Sequence, residues 1–305
     1  MKDSVFFKQA SLLLRVLPII NEHKVFALKG GTAINFFVRD LPRLSVDIDL
    51  TYLELGERTK SLLDITSHMD DICESIEKKI PRTEITKKHL KGTDFIRGII
   101  IKNNDVTIKV DPNTVIRGSV NELQEIQLCK NAEELFELTL KTRCLSTADL
   151  YGGKICAALD RQHPRDLFDI KLLMENEGID KSVIRAFIFY LISHDRPIVE
   201  VLNPTLLDIE QVFENEFSGM TSDDISLDEL IVVRSKLVAN IKNQMTEEQK
   251  HFLLSFKNKK PEWILSGIKE LDKYPSVQWK LLNLNKMESK KHQIAHGRLK
   301  EYLLQ

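Results

Sequence analysis

The sequence predicts an α+β protein, with a small mixed β-sheet flanked by helices and a helical domain after it. The first half of the 305-residue chain mixes segments in which apolar residues alternate with segments in which they recur every three or four residues. Alternation is typical of strands and the longer period of helices. In the second half the helical period dominates. We place the boundary near Gly178, in the turn-forming stretch ENEGID, so that residues 1–178 form the mixed core and residues 179–305 the helical domain.

Each predicted element of the first half rests on one of these two periods or on a terminal signal. Helices are expected at residues 6–20, 32–38, 59–79 and 146–159, and strands at 25–28, 46–53, 95–101, 106–111 and 136–145. The tripeptide NND separates two of the strands and has the composition of a hairpin turn. Ser146 is placed to cap the helix that follows it, and Pro164 suits the first turn of the next helix.

Composition narrows the class of protein without identifying a partner. The formal net charge is −1, so nucleic acid or an anionic membrane would have to meet a local basic patch. The four cysteines include no C-x-x-C pair, and the eight histidines show no metal-binding spacing, so we assign none of them to chemistry. No apolar run reaches 18 residues and no signal segment opens the chain, so we expect a cytoplasmic protein with no membrane partner.

Two acids one residue apart, in the stretch RLSVDIDL, are the strongest chemical signal. On a strand, Asp47 and Asp49 leave the same face while their apolar neighbours point into a core. Two carboxylates on one face repel each other unless a cation lies between them, and Mg2+ is a hard cation that carboxylates and substrate phosphates hold. Asp111 ends the alternating stretch VTIKVD on that same face, and would complete a site for two Mg2+ ions. Its position before Pro112 also suits a strand end.

A glycine pair in KGGTAINF precedes these acids by little more than a dozen residues. Gly30 and Gly31 let a ligand approach the backbone, and the helix that begins near Thr32 offers N–H groups to a phosphate. The Thr32 hydroxyl is a further donor. Arg43 and Ser45 are candidates to contact the same phosphates, although a local salt bridge would also explain Arg43. The glycine turn is thus predicted to hold the anionic end of a nucleoside triphosphate, and the aspartates the metal that bridges it.

The pattern GGT, R-x-S-x-D-x-D and a later strand acid is similar to that of the DNA polymerase β-like nucleotidyltransferase superfamily. Within it the chain resembles the AbiEii/AbiGii toxin family, which includes the MenT-type toxins. The stretch LSTADLYGGKICAALDRQHPRDLFDI carries the narrower resemblance, through a helix-borne lysine, a downstream arginine and an R-D-x-x-D element. These residues are Lys154, Arg161, Arg165, Asp166 and Asp169. The two matches together span about half of the chain.

The residues of this second block agree with the resemblance. Lys154 leaves its predicted helix beside an apolar stripe, so it could lie at the rim of a cleft and neutralise triphosphate charge. An ordinary solvated lysine is the alternative. The resemblance implies that Asp166 is a functional acid, which either organises Lys154 or activates the acceptor hydroxyl. Asp169 is expected to be structural, because the helix dipole favours an acid in the first turn.

The resemblance implies an enzyme that transfers a nucleoside monophosphate from an NTP to an acceptor and releases pyrophosphate. Asp47, Asp49 and Asp111 would hold two Mg2+ ions, and Lys154 and Asp166 would join them as catalytic residues. Some members of the family add nucleotides to the 3′ end of tRNA, block aminoacylation and act as toxins that a cognate antitoxin restrains. The expected partners are therefore an NTP, an RNA acceptor such as tRNA, and an antitoxin.

Two basic runs offer surfaces for an RNA acceptor. Residues 77–91 contain six Lys or Arg against two Glu, and residues 286–300 contain five against one. Either run could follow a phosphate backbone or form an ordinary solvated face. Two other functions stay open: the same chemistry on a protein side chain or a small molecule such as an aminoglycoside, and a non-catalytic nucleotide-binding module. The three acids argue against a non-catalytic module, because nucleotide binding alone does not require a cluster of like charges.

Overall fold

The computed structural model describes residues 4–304 and confirms the α+β class. The mixed part comprises α1 (Val5–Asn21), β1 (Phe26–Lys29), α2 (Gly30–Ala33), β2 (Asp47–Tyr52), α3 (Arg58–Lys79), β3 (Thr83–His89), β4 (Ile96–Asn103), β5 (Val106–Asn113), β6 (Gln124–Gln127), α4 (Lys130–Phe136), β7 (Lys141–Cys144) and α5 (Thr147–Arg161). A π-helical turn, Ile34–Val38, continues α2.

Helices make up the regular structure of the remaining described residues. They are α6 (Pro164–Glu175), α7 (Lys181–Ser193), α8 (Ile198–Leu202), α9 (Glu210–Glu216), α10 (Leu227–Gln244), α11 (Glu247–Lys257), α12 (Pro275–Lys286) and α13 (Ser289–Leu304), with two short 3-10 turns before α12. The expected loss of strand signals after residue 180 is therefore confirmed. None of the described helices combines the length and apolar content that a membrane span needs.

The seven strands form one mixed sheet in the order β3-β4-β5-β2-β1-β7-β6. Two of the pairings are parallel, β2 with β5 and β1 with β7, and the others are antiparallel. Alternation along β2 and β5 buries Ile48 and Leu50, and Ile108 and Val110, on the face that α1 and α3 cover. On that same face the Tyr52 hydroxyl donates to a carboxylate of α3. The opposite face of these two strands carries the acids.

Two terminal signals are confirmed by the helix starts that they predict. The Ser146 hydroxyl accepts a hydrogen bond from the backbone N–H of Asp149 at 3.0 Å, as a cap of α5 should. Pro164 occupies the first position of α6, where its missing N–H has no cost, and the ring of His163 accepts from the backbone of the first turn.

The strand predicted at residues 136–145 is wrong in its first part. Phe136 ends α4, where its ring stacks on Phe7 with centroids 4.8 Å apart, and β7 begins only at Lys141. A short apolar run is compatible with either the end of a helix or a strand. Here the packing of Phe136 against α1 favours the helix end. The strands β3 and β6 have no counterpart in the prediction. Both are polar edge strands that are held by backbone pairing and lack a buried apolar alternation.

Contacts divide the chain into two compact units, Met1–Leu150 with Gly219–Asp223, and Tyr151–Ser218 with Asp224–Gln305. The first contains the sheet. In the second, α7 is central, because ten of its 13 residues are buried and it is apolar on all sides. A side chain at Gly152 would come within 2.7 Å of the backbone nitrogen of Phe187, so this glycine lets α5 and α7 approach closely.

Candidate active site

The three acids lie side by side on the face of the sheet opposite α1 and α3. Asp47 and Asp49 alternate with buried Ile48 along β2, as the sequence predicts. The parallel pairing of β2 with β5 aligns Asp49 with Asp111, and neighbouring strands are about 4.8 Å apart. Asp111 shares the outward face with Lys109, which is aligned with Asp47. The strand order thus brings together three carboxylates from two segments that are distant in sequence.

Like charges crowd the carboxyl group of Asp111. Burial raises the pKa of this carboxyl above its ordinary value, and the charges of Asp49 and Asp47 raise it further. Lys109 and Arg97 act in the opposite direction but do not reverse the shift. At Asp111, therefore, the repulsion from the two acids outweighs the attraction of the two cations.

Two glycines make room for the acids. A side chain at Gly98 of β4 would overlap Oδ1 of Asp111, and one at Gly30 would overlap Oδ2 of Asp49. Gly30 also has a φ of +72°, a conformation that other residues adopt at a cost. The sequence predicted Gly30 as a site residue but gave Gly98 no role. A glycine inside a strand pattern is the signal that could have identified it, since it marks a close approach.

The acids fit a hard divalent cation. Carboxylate oxygens are the donors that Mg2+ takes, usually one or two from protein together with substrate phosphates. Besides burial, the charges of Asp49 and Asp47 raise the pKa of Asp111, so a cation among these carboxylates would relieve their repulsion. Asp47, Asp49 and Asp111 are therefore the residues of this cluster that could hold the metal.

The residues around the glycine turn form a buried polar group beside the acids. Oγ1 of Thr32 donates to the backbone carbonyl of Asp47 at 2.5 Å and lies 2.9 Å from Oγ of Ser45. Arg43 is 3 % exposed and donates to the carbonyl of Leu44 at 2.9 Å. A side chain at Gly31 would come within 2.8 Å of Nη2 of Arg43. These contacts fix the turn against the segment that leads into β2.

Segment Gly219–Asp223 completes this part of the first unit, and sequence reasoning did not foresee it. Thr221 forms an antiparallel bridge with Arg43, and its hydroxyl donates to the carbonyl of Pro42 at 2.8 Å. The backbone N–H of Leu44 donates to the carbonyl of Met220 at 2.8 Å. Backbone pairing of this kind leaves no mark on side-chain patterns, which explains why the sequence did not reveal it.

The lysine and acids of the second block form a buried ion cluster in the second unit. Nζ of Lys154 lies 2.9 Å from Oδ1 of Asp166 and 2.9 Å from Oδ2 of Asp169. Arg161 donates to both carboxylate oxygens of Asp166, at 2.6 and 3.0 Å. The Lys154 side chain is only 5 % exposed, whereas the sequence placed it at the rim of a cleft. Arg165 lies apart from these contacts, 3.8 Å from Glu216.

Asp166 stays ionised inside this cluster. Burial alone would raise the pKa of its carboxyl, but the charges of Lys154 and Arg161 overcome burial and hold the pKa well below its usual range. A carboxylate with two cationic partners organises the lysine that it contacts. The role of Asp166 in the reaction stays a prediction.

The basic run at residues 77–91 divides between the two faces of the sheet. Lys87 faces α3, where its Nζ lies 2.6 Å from a carboxylate oxygen of Asp70. Lys88 is aligned with Gly98 and therefore lies on the face of the acids, two strands from Asp111. The run at 286–300 belongs mainly to α13, and its five basic residues are all exposed.

Comparisons with known proteins match this arrangement to one family. The model for "Nucleotidyl transferase AbiEii toxin, Type IV TA system" matches residues 11–282. MenT4, a nucleotidyltransferase toxin from Mycobacterium tuberculosis H37Rv, has a similar fold, with a TM-score of 0.62 and 13 % identity over 92 % of this chain and 93 % of that chain. A weaker likeness, with a TM-score of 0.43 and 16 % identity over 82 % and 98 %, is to JHP933 from Helicobacter pylori. No curated protein matches the chain.

The family match covers most of the chain, and the MenT4 likeness independently supports the fold. The acids, the glycine turn and the lysine cluster that carried the resemblance all lie within the matched residues. The chain belongs to the AbiEii family, and it is a nucleotidyltransferase toxin of a type IV toxin–antitoxin system.

Proposed function

We propose that this enzyme transfers a nucleoside monophosphate from an NTP to an RNA acceptor, the 3′ end of tRNA, in a Mg2+-dependent reaction. The observation that carries the proposal is the cluster of three carboxylates on one face of the sheet. In the reaction, the acceptor hydroxyl oxygen forms a bond to the α-phosphorus, the α–β phosphoanhydride bond breaks, and pyrophosphate leaves with the bonding electrons. A nucleotide added to the 3′ end would prevent aminoacylation and so block translation.

We assign the binding of the metal ions to Asp47, Asp49 and Asp111. When bound, Mg2+ supplies charge neutralisation at the attacking and leaving oxygens, and two ions suit a site with three acids. The protein contributes rigidity, since all three acids stand on paired strands rather than on loops. Gly30 and Gly98 keep side chains out of the space that two of these carboxylates occupy.

We assign the binding of the NTP phosphates to the glycine turn. Gly30 and Gly31 present backbone N–H groups at the start of a helix, and a helix start favours negative charge. Thr32, Arg43 and Ser45 complete this nucleotide-binding set. Because their side chains are buried against the turn, they are proposed to hold its shape and to supply positive potential behind it.

Lys154 and Asp166 are proposed to be required for transfer, as the family resemblance implies. Their contacts support a role in which Asp166 orients the lysine. We assign the transfer chemistry to residues 1–178, which include both groups of site residues, and no chemical step to the helical residues 179–305.

An RNA acceptor is supported by the charge on the face of the acids. Lys88 and Lys109 stand on that face, on β3 and β5 respectively, so a basic path leads from the sheet edge to the acids. A path of this kind suits a polyanion, because the net charge of −1 leaves only local basic groups to attract it. We place the activity in the cytoplasm, where tRNA is available, and expect a cognate antitoxin to restrain it.

The experiment that tests the acceptor uses purified protein, MgCl2, each α-labelled NTP in turn, and total RNA mixed with total protein from the same cells. Label in a band of tRNA size, removed by ribonuclease and absent with the Asp49→Asn variant, is the expected result. Label that resists ribonuclease and disappears with protease would replace RNA by a protein acceptor. Label in small molecules alone would favour an aminoglycoside-like acceptor.

A further inference from the structure

Two histidines and one aspartate meet on the side of the sheet opposite the acids. His23 lies in the turn between α1 and β1, and His68 and Asp71 lie three residues apart on α3. One ligand atom from each of the three side chains lies within 4.8 Å of the other two. Residues three apart share a face of a helix, so α3 presents both side chains towards His23.

The two imidazole rings face each other through their nitrogens. Nδ1 of His23 lies 2.9 Å from Nδ1 of His68, and the ring planes are nearly perpendicular, at 85°. Two nitrogens bound to one tetrahedral Zn2+, each at about 2.0–2.1 Å, would lie roughly 3.3 Å apart. An ion bound by both nitrogens would replace the hydrogen bond that joins them and would move them slightly apart.

A carboxylate lies near the ring nitrogen of His68 that faces away from His23. This nitrogen, Nε2, faces a carboxylate oxygen of Asp64 at 3.9 Å, and that carboxylate accepts a hydrogen bond from the Tyr52 hydroxyl at 2.8 Å. Metal-binding histidines commonly turn their second nitrogen towards a carboxylate, which fixes the tautomer and the ring orientation.

We propose that His23, His68 and Asp71 form a binding site for a divalent transition metal, with Zn2+ as the ion that this ligand set suits best. Imidazole with one carboxylate favours Zn2+ over Mg2+, which takes oxygen ligands. Asp71 is exposed, so the site is open to solvent on that side and water would supply the fourth ligand. The ion would join the turn before β1 to α3, two segments 45 residues apart, and would not take part in transfer.

The test is a calorimetric titration of ZnCl2 into the full chain after treatment with a chelator, in excess MgCl2 so that the three acids are occupied. The expected result is uptake of one ion per chain by the wild type. His68→Ala should abolish this uptake, and Asp71→Asn should weaken it about tenfold or more. The matched control is His251→Ala, which removes an exposed histidine from α11 and should leave uptake unchanged.

Folding of each variant is checked by its circular dichroism. Asp71→Asn keeps the proposal falsifiable if His68→Ala does not fold, because it alters only an exposed oxygen. Zn2+ should also raise the melting temperature of the wild type more than that of Asp71→Asn. Absence of saturable uptake by the wild type, or equal uptake by the wild type and both site variants, would overturn the site. Transfer activity plays no part in these readouts, so the outcome is independent of the proposed function.

Discussion

At the scale of the residue, the acids that are proposed to bind the metal also destabilise the folded state when no metal is bound. The pKa of Asp111 is raised by burial and by its two acidic neighbours, so ionising this carboxyl is less favourable in the folded chain than in the unfolded one. Because this pKa is raised, Asp111 stays protonated to a higher pH in the folded chain than in the unfolded chain. Stability without metal should then decrease as the pH rises from the ordinary aspartate pKa through the raised value.

Asp111→Asn should separate stability from activity. Without metal at neutral pH, the variant should melt at a higher temperature than the wild type, because a repelled charge is removed. Its transfer rate should fall by roughly 100-fold or more, since a metal-holding charge is lost. Melting curves in a chelator and transfer rates in Mg2+ measure the two effects. Asp105→Asn, in the turn of the same hairpin, is the control and should change neither.

Gly30→Ala should damage the site through space as well as through backbone conformation. A methyl group would meet Oδ2 of Asp49, and φ is +72°. Gly92 has a φ of +74° with no atom within 4 Å of an added side chain, so Gly92→Ala carries the same backbone cost of about 1–2 kcal/mol without the contact. Gly30→Ala should lose at least as much stability as Gly92→Ala, and only Gly30→Ala should lose transfer activity. Equal activities in the two variants would contradict the role of Gly30.

At the scale of the element, the turn between α5 and α6 explains why Lys154 is buried. Gln162 has a φ of +52°, and the chain reverses there, so the first turn of α6 returns to α5. Asp166 and Asp169, one helical turn apart, then reach the same lysine. The helical spacing of these acids was readable from the sequence, but the reversal that aims them at Lys154 was not.

Lys154→Met should destabilise the protein by about 3–5 kcal/mol, because it leaves a buried carboxylate without its cation. Adding Asp169→Asn to it removes one charge of each sign and should recover part of that loss. If Lys154 is needed for transfer, the double variant should stay inactive although it is more stable than the single one. Denaturant unfolding and transfer rates, measured on both variants, distinguish a role in transfer from a purely structural role. Recovery of activity in the double variant would mean that Lys154 is only structural.

The two faces of β3 give a matched pair for the RNA path. Lys88→Ala removes a cation from the face of the acids, whereas Lys87→Ala removes one from the face that carries α3. Only Lys88→Ala should raise the KM for RNA, and it should reduce the slope of log affinity against log salt by about 0.7–0.9 for one phosphate contact. Rates against RNA concentration at two salt levels provide the data. Equal effects of the two substitutions would remove β3 from the path.

At the scale of the whole molecule, local periodicity predicted the face on which each acid lies but not the pairing of the polar edge strands. The faces of Asp47, Asp49 and Asp111 follow from a period of two and are found as expected. Alignment of Lys88 with Gly98 depends on backbone pairing of a polar edge strand, which carries no apolar signal. The meeting of His23 with α3 is likewise a product of chain folding rather than of spacing.

The central claim is that the three carboxylates on one sheet face form the metal-dependent transfer site. Its most direct test is the rate of nucleoside monophosphate incorporation into RNA, together with pyrophosphate release, measured against Mg2+ concentration for the wild type and for Asp47→Asn and Asp49→Asn. The account predicts equal amounts of incorporated nucleotide and pyrophosphate from the wild type, both dependent on Mg2+, and neither from the two folded variants. Incorporation within tenfold of the wild type by either variant, or incorporation that persists in a chelator, would contradict it.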